Sequence, residues 1–426
     1  MPSVLFVHNG RPGRFAPLAR ALKNRGWNGA LINRADGLPL DGFSTIQWKF
    51  RAPSPKSAFV LVRPAEDNLR VGRAAAEAAR QLRSDGFSPD IIIGHPGWGE
   101  MLFLDEIFPT VPQIQIGELY YRTLNSDVDF DPEFAATFDM KVLARAKNLG
   151  LAASYLNATR IVCPTRFQAD TLPEVLQPRI SIIHEGIDTS VARRRSEVVL
   201  RVTKRVALDG SVPVITFINR HFEPMRGFHV FMRALPRLLR ELPTAHVLLI
   251  GSDARSGYGP AAGGGRTWKE VMLDEIGDRI DPARVHFVGV LAYDKLIDVL
   301  SASTAHVYMT YPFVLSWSLL DAMACECVVI GSDTAPVREV VDHRQNGLLV
   351  DFFNPTALAD AVIDVCRRPA EYAGLRVAAR KSVIDRFDRA TVCEPAWLRL
   401  IDEVIATRSL EERARTCRNE TPPFEL

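Results

Sequence analysis

Short β-branched runs of strand length recur along the chain at 3–8, 29–32, 90–94, 113–116, 160–163 and 180–184. Between the early ones, at 15–25 and 68–84, apolar positions return every three or four residues, which is the period of an amphipathic helix. Strands that are apolar on both faces and separated by helices predict a parallel sheet with helices on each side. Residues 191–208 are rich in arginine and break the pattern, so they read as a bridge. A second series then runs through strands at 213–217, 246–250, 285–288, 305–309 and 328–330, with helices at 228–242, 295–302 and 318–325. The fold class expected is α/β, with two doubly wound, Rossmann-like domains over 1–190 and 210–395 and a cleft between them. Helical patterns at 356–367, 371–386 and 392–413 follow, and 415–423 reads as a frayed polar tail.

Length agrees with two domains, since 426 residues exceed what one core usually serves. A net charge of +2 gives no global case for a nucleic-acid partner. Among the six cysteines only Cys325 and Cys327 are close, and they have no partner pair, so burial in a reducing cytoplasm is expected rather than a metal or disulfide framework. The start, MPSVLFVHNGRPGR, is too short in its apolar run for a signal peptide. No apolar run is long enough to cross a bilayer, which leaves only a peripheral contact at the inner face of the membrane. Arg70, Arg73, Arg80 and Arg83 share a broad helical face that could touch anionic lipid, although a solvated face is the commoner outcome.

Chemistry concentrates where strands end, because in an α/β sheet the strand ends and following helix N-termini face the ligand. Gly10 and Gly13 in HNGRPGRF would let backbone approach a phosphate or sugar, or simply make a turn. His95 follows directly on a strand in GHPGWGE, on the ligand side of the sheet. Trp98, Glu100, Glu118, Tyr120 and Tyr121 offer aromatic faces beside carboxylates, which suits carbohydrate and equally suits a core. In NRHFEPMRG, Arg220 and Arg226 could clamp a diphosphate, since guanidinium is always charged and matches phosphate geometry. Glu185 in IIHEGID ends the last strand of the first series, where it faces the cleft or merely terminates the strand.

The segment 311–350 is the most telling. Asp321 stands among the apolar Leu319, Leu320, Ala322 and Met323, and a carboxylate matches the two hydroxyls of a ribose. It lies four residues after Trp317, on the same helical face. Glu339 in PVREVV sits at another strand-to-helix turn, to bind ligand or cap a helix N-terminus. Two other patterns fail. The alternation Asp127, Asp129, Asp131 hints at calcium, but Pro132 and Phe138 stand where the calcium loop needs Gly and Glu. The run GPAAGGGRT at 259–267 lacks the P-loop ending and reads as a mobile glycine-rich loop.

In order and spacing these motifs, from HNGRPGRF through IIHEGID and NRHFEPMRG to LLDAMACECVV and QNGLLVDF, resemble the nucleotide-sugar glycosyltransferases of family 4, which have the GT-B fold. The resemblance implies an acceptor on the first lobe, a nucleoside-diphosphate sugar on the second, no metal and no cofactor. It also implies a C-terminal helix, about 396–415, that packs back onto the first lobe. Carried over residue by residue, Arg220 and Arg226 are the diphosphate pair, with Arg where Lys is usual at the second. Asp321 is the second carboxylate of the E-x7-E signature, shorter than the usual Glu by about 1.5 Å. His95 would lie near the transferred sugar, Gly10 near the phosphates, and Gly251 and the backbone at Val288, Gly289 and Leu291 near the nucleotide. The first signature carboxylate is replaced by Phe313, and Glu326 stands where glycine is usual. Donor contacts would then fall to the loop of Phe313, Val314, Leu315, Ser316 and Trp317, with Ser318 helping to hold sugar hydroxyls.

The expected activity is retaining transfer of a hexose from a UDP- or GDP-sugar to a carbohydrate or glycolipid hydroxyl, in polysaccharide or glycoconjugate assembly. Two rivals stand beside it: a nucleotide-sugar epimerase of the same fold, and a non-catalytic nucleotide-sugar binder, which the loss of a carboxylate at Phe313 would suit.

Overall fold

Seven parallel strands, β1 (Ser3–His8), β2 (Asn28–Arg34), β3 (Ser44–Trp48), β4 (Ile91–Gly94), β5 (Gln113–Ile116), β6 (Arg160–Cys163) and β7 (Ile180–Ile182), form the first sheet of the computed structural model, in the order β3-β2-β1-β4-β5-β6-β7. The structure describes residues 1–10, 13–48, 59–255 and 257–419. Contacts divide the chain into two units, the first made of Met1–Thr123, Ala136–Glu185 and Cys393–Leu426, the second of Leu124–Ala135 and Gly186–Val392.

In the first unit the strands bury both faces. Val4, Phe6, Ile91 and Ile93 join one core cluster while Leu5, Val7 and Ile92 join another on the opposite side. Alternation of side chains along each strand explains the division. The long final helix, Glu394–Asn419, contributes Trp397, Leu398, Ile401 and Val404 to the first of these clusters. On the helix Arg63–Ser84 the arginine face is largely occupied. Arg70 pairs with Glu66, Arg73 with Glu77, and Arg83 donates to the carbonyl of Ile107. No helix among the described residues is long and apolar enough to cross a membrane.

The second unit carries six parallel strands: β10 (Val214–His221), β11 (His246–Ser252), β12 (Val285–Gly289), β13 (Ala305–Tyr308), β14 (Val328–Ser332) and β15 (Leu348–Val350), in the order β12-β11-β10-β13-β14-β15. Within 191–208, where no strand is expected, β8 (Leu200–Arg201) and β9 (Ala207–Leu208) make a small antiparallel ribbon. Two Rossmann-like parallel sheets are therefore present, as the alternation of strands and helices predicts. Each has a point where chain order reverses, β1 lying between β2 and β4, and β10 between β11 and β13. Ligand crevices in such sheets open at the C-terminal ends of those strands.

The segment Leu124–Ala135 lies between β5 and β6 in sequence yet packs in the second unit. Phe130 sits 5.0 to 5.4 Å, ring to ring, from Tyr311, Phe352 and Phe353. Asp131 accepts from the Tyr311 hydroxyl at 2.7 Å and from His229 Nε2 at 3.1 Å. Cysteines 163, 325, 327, 366 and 393 are buried.

Candidate active site

In the second unit, β10 runs out at Asn219, Arg220 and His221, and a single 3-10 turn, Pro224–Arg226, leads into the helix Phe228–Glu241. The joint is Gly227, at φ +67°, where an added Cβ would lie 2.2 Å from that of Met309. Only glycine meets both demands, the left-handed backbone and the close approach. This joint turns Arg226 inward. Its side chain is buried, and NH1 donates to Thr310 Oγ1 and to the carbonyl of Val314, each at 2.9 Å. The guanidinium carbon lies 5.3 Å from the centre of the Phe313 ring, a cation–π distance. Arg220 is exposed and donates to the Tyr258 hydroxyl at 3.1 Å.

That contact belongs to the glycine-rich loop after β11, which is tied down at two more points. Buried Glu223 accepts from the Gly259 N–H at 2.8 Å, and Trp268 Nε1 donates to the Pro260 carbonyl at 2.8 Å. A loop read from sequence as mobile is thus pinned beside the arginine pair. Gly251, at the end of β11, has φ +155°, and a Cβ there would lie 2.3 Å from the Asn219 carbonyl.

The loop after β13 supplies the opposite side. Phe313 is buried, with Tyr258 at 5.6 Å, so an aromatic ring covers Arg226 at the position of the expected carboxylate. Ser316 caps the helix Trp317–Ala324 by accepting from the Ser318 N–H, and the two serine hydroxyls bond each other at 2.9 Å. These hydroxyls are therefore partly engaged before any sugar arrives. Val314 contributes its carbonyl to Arg226, while Leu315 packs against the core.

Trp317 and Asp321, four residues apart, differ in exposure, 44% against 4%. Asp321 Oδ1 accepts from the Tyr293 hydroxyl at 2.7 Å. Burial pushes the Asp321 carboxyl up to about 6, partly offset by that hydrogen bond and by Arg389. Val288 and Gly289 end β12, with Gly289 at φ +82°, and Leu291 packs against the core. Glu339 does not cap a helix N-terminus. Thr334 occupies that place on the short helix Ala335–Arg338, and Glu339 stands at its C-terminal end.

The first unit gathers a second constellation at the ends of β1, β4 and β5. Gly10, at φ +119°, turns the chain just after β1. His95 is buried and both ring nitrogens are engaged: Nδ1 accepts from the Gly97 N–H at 3.1 Å, so Nε2 carries the proton and donates to Glu118 at 3.1 Å. Trp98 lies 5.1 Å from the His95 ring and 6.2 Å from that of His8. Glu118 also takes Arg14 at 2.8 Å, and Arg14 reaches Glu185 at 3.2 Å. Burial alone would raise the Glu118 carboxyl, but Arg14 and His95 more than reverse this and hold it well below the carboxylate range. Glu100 is fully buried, and its Oε2 accepts from the Trp98 N–H at 3.0 Å. Burial outweighs its backbone hydrogen bonds and pushes it up to about 8. Tyr120 belongs elsewhere, packing against the cluster around Leu151, Tyr155 and Leu172.

Sequence reasoning did not single out His8 or Arg14. Arg14 was visible only as a basic residue following the first strand, and its two acidic partners are more than a hundred residues away in sequence, so no local spacing could signal it.

Two descriptions of known families match the chain. One, the glycosyl transferase family 4 group, matches residues 25–192, and the other, glycosyl transferases group 1, matches 212–368. A D-inositol 3-phosphate glycosyltransferase of Rhodococcus jostii is 26% identical over 239 residues, 55% of this chain and 50% of the relative. One of the same description from Acidothermus cellulolyticus is 24% identical over 363 residues, 82% of this chain and 75% of the relative. The chain spans about half the length of the first curated relatives it matches. Among solved structures, a sucrose-phosphate synthase from Thermosynechococcus elongatus superposes with a TM-score of 0.71 at 16% identity, covering 96% of this chain and 100% of that one. The Anabaena protein HepE, solved in complex with UDP-glucose, gives 0.67 at 15% identity, covering 94% and 100%. With two Rossmann-like sheets and a family match in each half, the chain belongs to the family 4 glycosyltransferases of the GT-B fold.

Proposed function

We propose that this protein transfers a sugar from a nucleoside diphosphate to an acceptor hydroxyl with retention of anomeric configuration and without a metal. The observation that carries the reading is Arg226, a buried guanidinium fixed where β10 and β13 end, with Arg220 nearby in sequence at the rim. As the bond from the anomeric carbon to the diphosphate oxygen breaks, negative charge builds on the departing phosphate. Prepositioned cations hold that charge more strongly in the transition state than in the ground state. The acceptor oxygen forms the new bond to the anomeric carbon, and its proton passes to the departing phosphate oxygen. HepE's UDP-glucose complex makes UDP-glucose the first donor to try, and the curated relatives make a phosphorylated cyclitol the first acceptor. Polysaccharide or glycoconjugate assembly in the cytoplasm is the setting this reading favours.

Asp131, Glu133 and His229 bring ligand atoms within 4.8 Å of one another. Asp131 is already bonded to His229 and Tyr311, and Glu133 to Arg233, so the trio reads as a structural network. Turnover unchanged by chelator is the expected result, and loss on chelation would show a metal. Phe313 favours one alternative, a non-catalytic binder, which predicts nucleotide affinity without turnover toward any acceptor.

Arg220→Ala is expected to weaken UDP binding by about tenfold, or about 1.4 kcal/mol, with no change in melting temperature because the side chain is exposed. Calorimetric titration reads the first and a thermal melt the second. Asp321 gives a pH signature. The ionised carboxylate accepts both ribose hydroxyls, so UDP affinity should rise as pH goes from 5 to 7 through the residue's value of about 6. Asp321→Asn should be weaker and flat over that range. An identical pH profile in wild type and variant would remove Asp321 from the ribose site.

A further inference from the structure

Residues 191–208, in the second unit, concentrate positive charge. Five arginines and one lysine stand there against a single acid, Glu197, a net +5 in a chain whose total is +2. Everything outside the segment is therefore net negative. Arg195 is anchored, pairing with Asp294 and Asp298 on the helix Tyr293–Ala302. The other five, Arg193, Arg194, Arg201, Lys204 and Arg205, are exposed, and none has a side-chain hydrogen bond or ion pair with another described residue.

The β8–β9 ribbon sorts this segment into two faces. Leu200 pairs with Leu208 and Arg201 with Ala207, and the Val202 N–H donates to the Val206 carbonyl at 3.0 Å. Leu208 belongs to the second unit's core, and Leu200, Val202 and Val206 pack against it. Side chains alternate along a strand, so Val199, Arg201, Arg205 and Ala207 take the outer face. All four are exposed, Val199 by 56%. Lys204 stands at the bend between the strands, also exposed. Like charges held this close repel one another, and an anionic surface would relieve them.

An outer face that mixes cations with an exposed aliphatic side chain fits lipid, whose phosphates meet the charges while valine enters the apolar boundary. Residues 191–208 contain no Phe, Tyr or Trp, so they lack the stacking platform that single-stranded nucleic acid uses. On the helix Arg63–Ser84, by contrast, Arg70 and Arg73 already have glutamate partners. We propose that the β8–β9 ribbon docks the protein on an anionic lipid surface through Arg201, Lys204 and Arg205, with Val199 at the headgroup boundary. The net negative remainder is repelled by the same surface, which orients the contact. This docking stands independently of the sugar-transfer reading.

Co-sedimentation of the full chain with vesicles tests it, using phosphatidylcholine alone and phosphatidylcholine mixed with phosphatidylglycerol. Wild type should bind the mixed vesicles and not the neutral ones, and added salt should weaken the binding. Each cation at such a surface contributes about fivefold to the partition, so Arg201→Gln, Lys204→Gln and Arg205→Gln together should lower it about a hundredfold. These side chains are exposed, so the triple variant should keep the wild-type melting temperature and UDP affinity. A second triple variant, Arg70→Gln, Arg73→Gln and Arg80→Gln, should bind vesicles far better than the first. No binding to the mixed vesicles, equal binding to neutral ones, or binding that survives the ribbon variant would overturn the proposal. A loss as large in the second variant would overturn it too, as would tighter binding to soluble polyglutamate, which would mark a site for an acidic protein segment. A parallel UDP titration keeps the two readings apart. Vesicle binding without UDP binding keeps the ribbon and removes the transfer reading, whereas UDP binding without vesicle binding does the reverse.

Discussion

Arg226→Ala is expected to lower sugar transfer by about two to three orders of magnitude, the range typical for removing one prepositioned donor from a developing anion. The side chain is buried, two of its N–H bonds hold Thr310 and the Val314 carbonyl, and Phe313 lies across it. Its loss therefore removes charge and also leaves a polar hydroxyl, a carbonyl and an aromatic ring without their shared partner. A fall in melting temperature should accompany the fall in rate. Arg226→Lys separates the two effects, because ammonium keeps the charge but lacks the planar guanidinium that lies against the Phe313 ring. It should recover part of the nucleotide affinity while recovering less of the stability. Steady-state rates with UDP-glucose, UDP affinity and melting temperature are the three readouts. Wild-type turnover in Arg226→Ala would end the diphosphate assignment.

A second large effect is expected at Glu100. Its folded value of about 8 lies well above the 4.5 of a free glutamate, chiefly through burial. A value raised in the folded state means the native protein holds the proton more tightly than the unfolded chain. That stability is fully present below about 4.5 and is lost as pH rises through about 8. Each pH unit in between carries about 1.4 kcal/mol, so wild type should lose about 2 kcal/mol between pH 6.5 and 8. Glu100→Gln carries no titrating proton and should lack this slope. Asp321, raised to about 6, acts with the same sign but at lower pH, so the chosen window isolates Glu100. Denaturant titrations of both proteins at the two pH values supply the comparison. Parallel pH dependence in wild type and variant would show that Glu100 is not held protonated.

What could be read in advance follows from where the information lies. Strands β1, β5 and β6 stand where they are expected; β1 is buried on both faces and reads as a near-continuous apolar run, whereas β5, with sequence QIQI, alternates although all four residues are buried. At the sheet edges the signal fades: β3, with sequence STIQW, mixes polar and apolar residues, and β15 is only three residues long. The helices Phe138–Ala146 and Asn148–Leu156 went unpredicted because they follow Leu124–Ala135, whose aromatic and acidic residues find partners in the other unit. In the second unit, Arg226 and Asp321 stood out because motif spacing and an apolar neighbourhood mark them locally. Their settings did not, since the Phe313 ring over Arg226 and the Tyr293 hydroxyl on Asp321 come from other elements. The same holds for Arg14, whose meaning depends on β5 and on the end of the first unit's last strand segment.

The central claim is that the second unit grips a nucleoside diphosphate through Arg226 at the ends of β10 and β13. Isothermal titration of UDP, and of GDP beside it, into wild type and Arg226→Ala tests this most directly. The account predicts saturable binding of at least one of them to wild type, weakened about tenfold or more in the variant and unchanged by chelator. No binding of either nucleotide, or equal binding by both proteins, would contradict it.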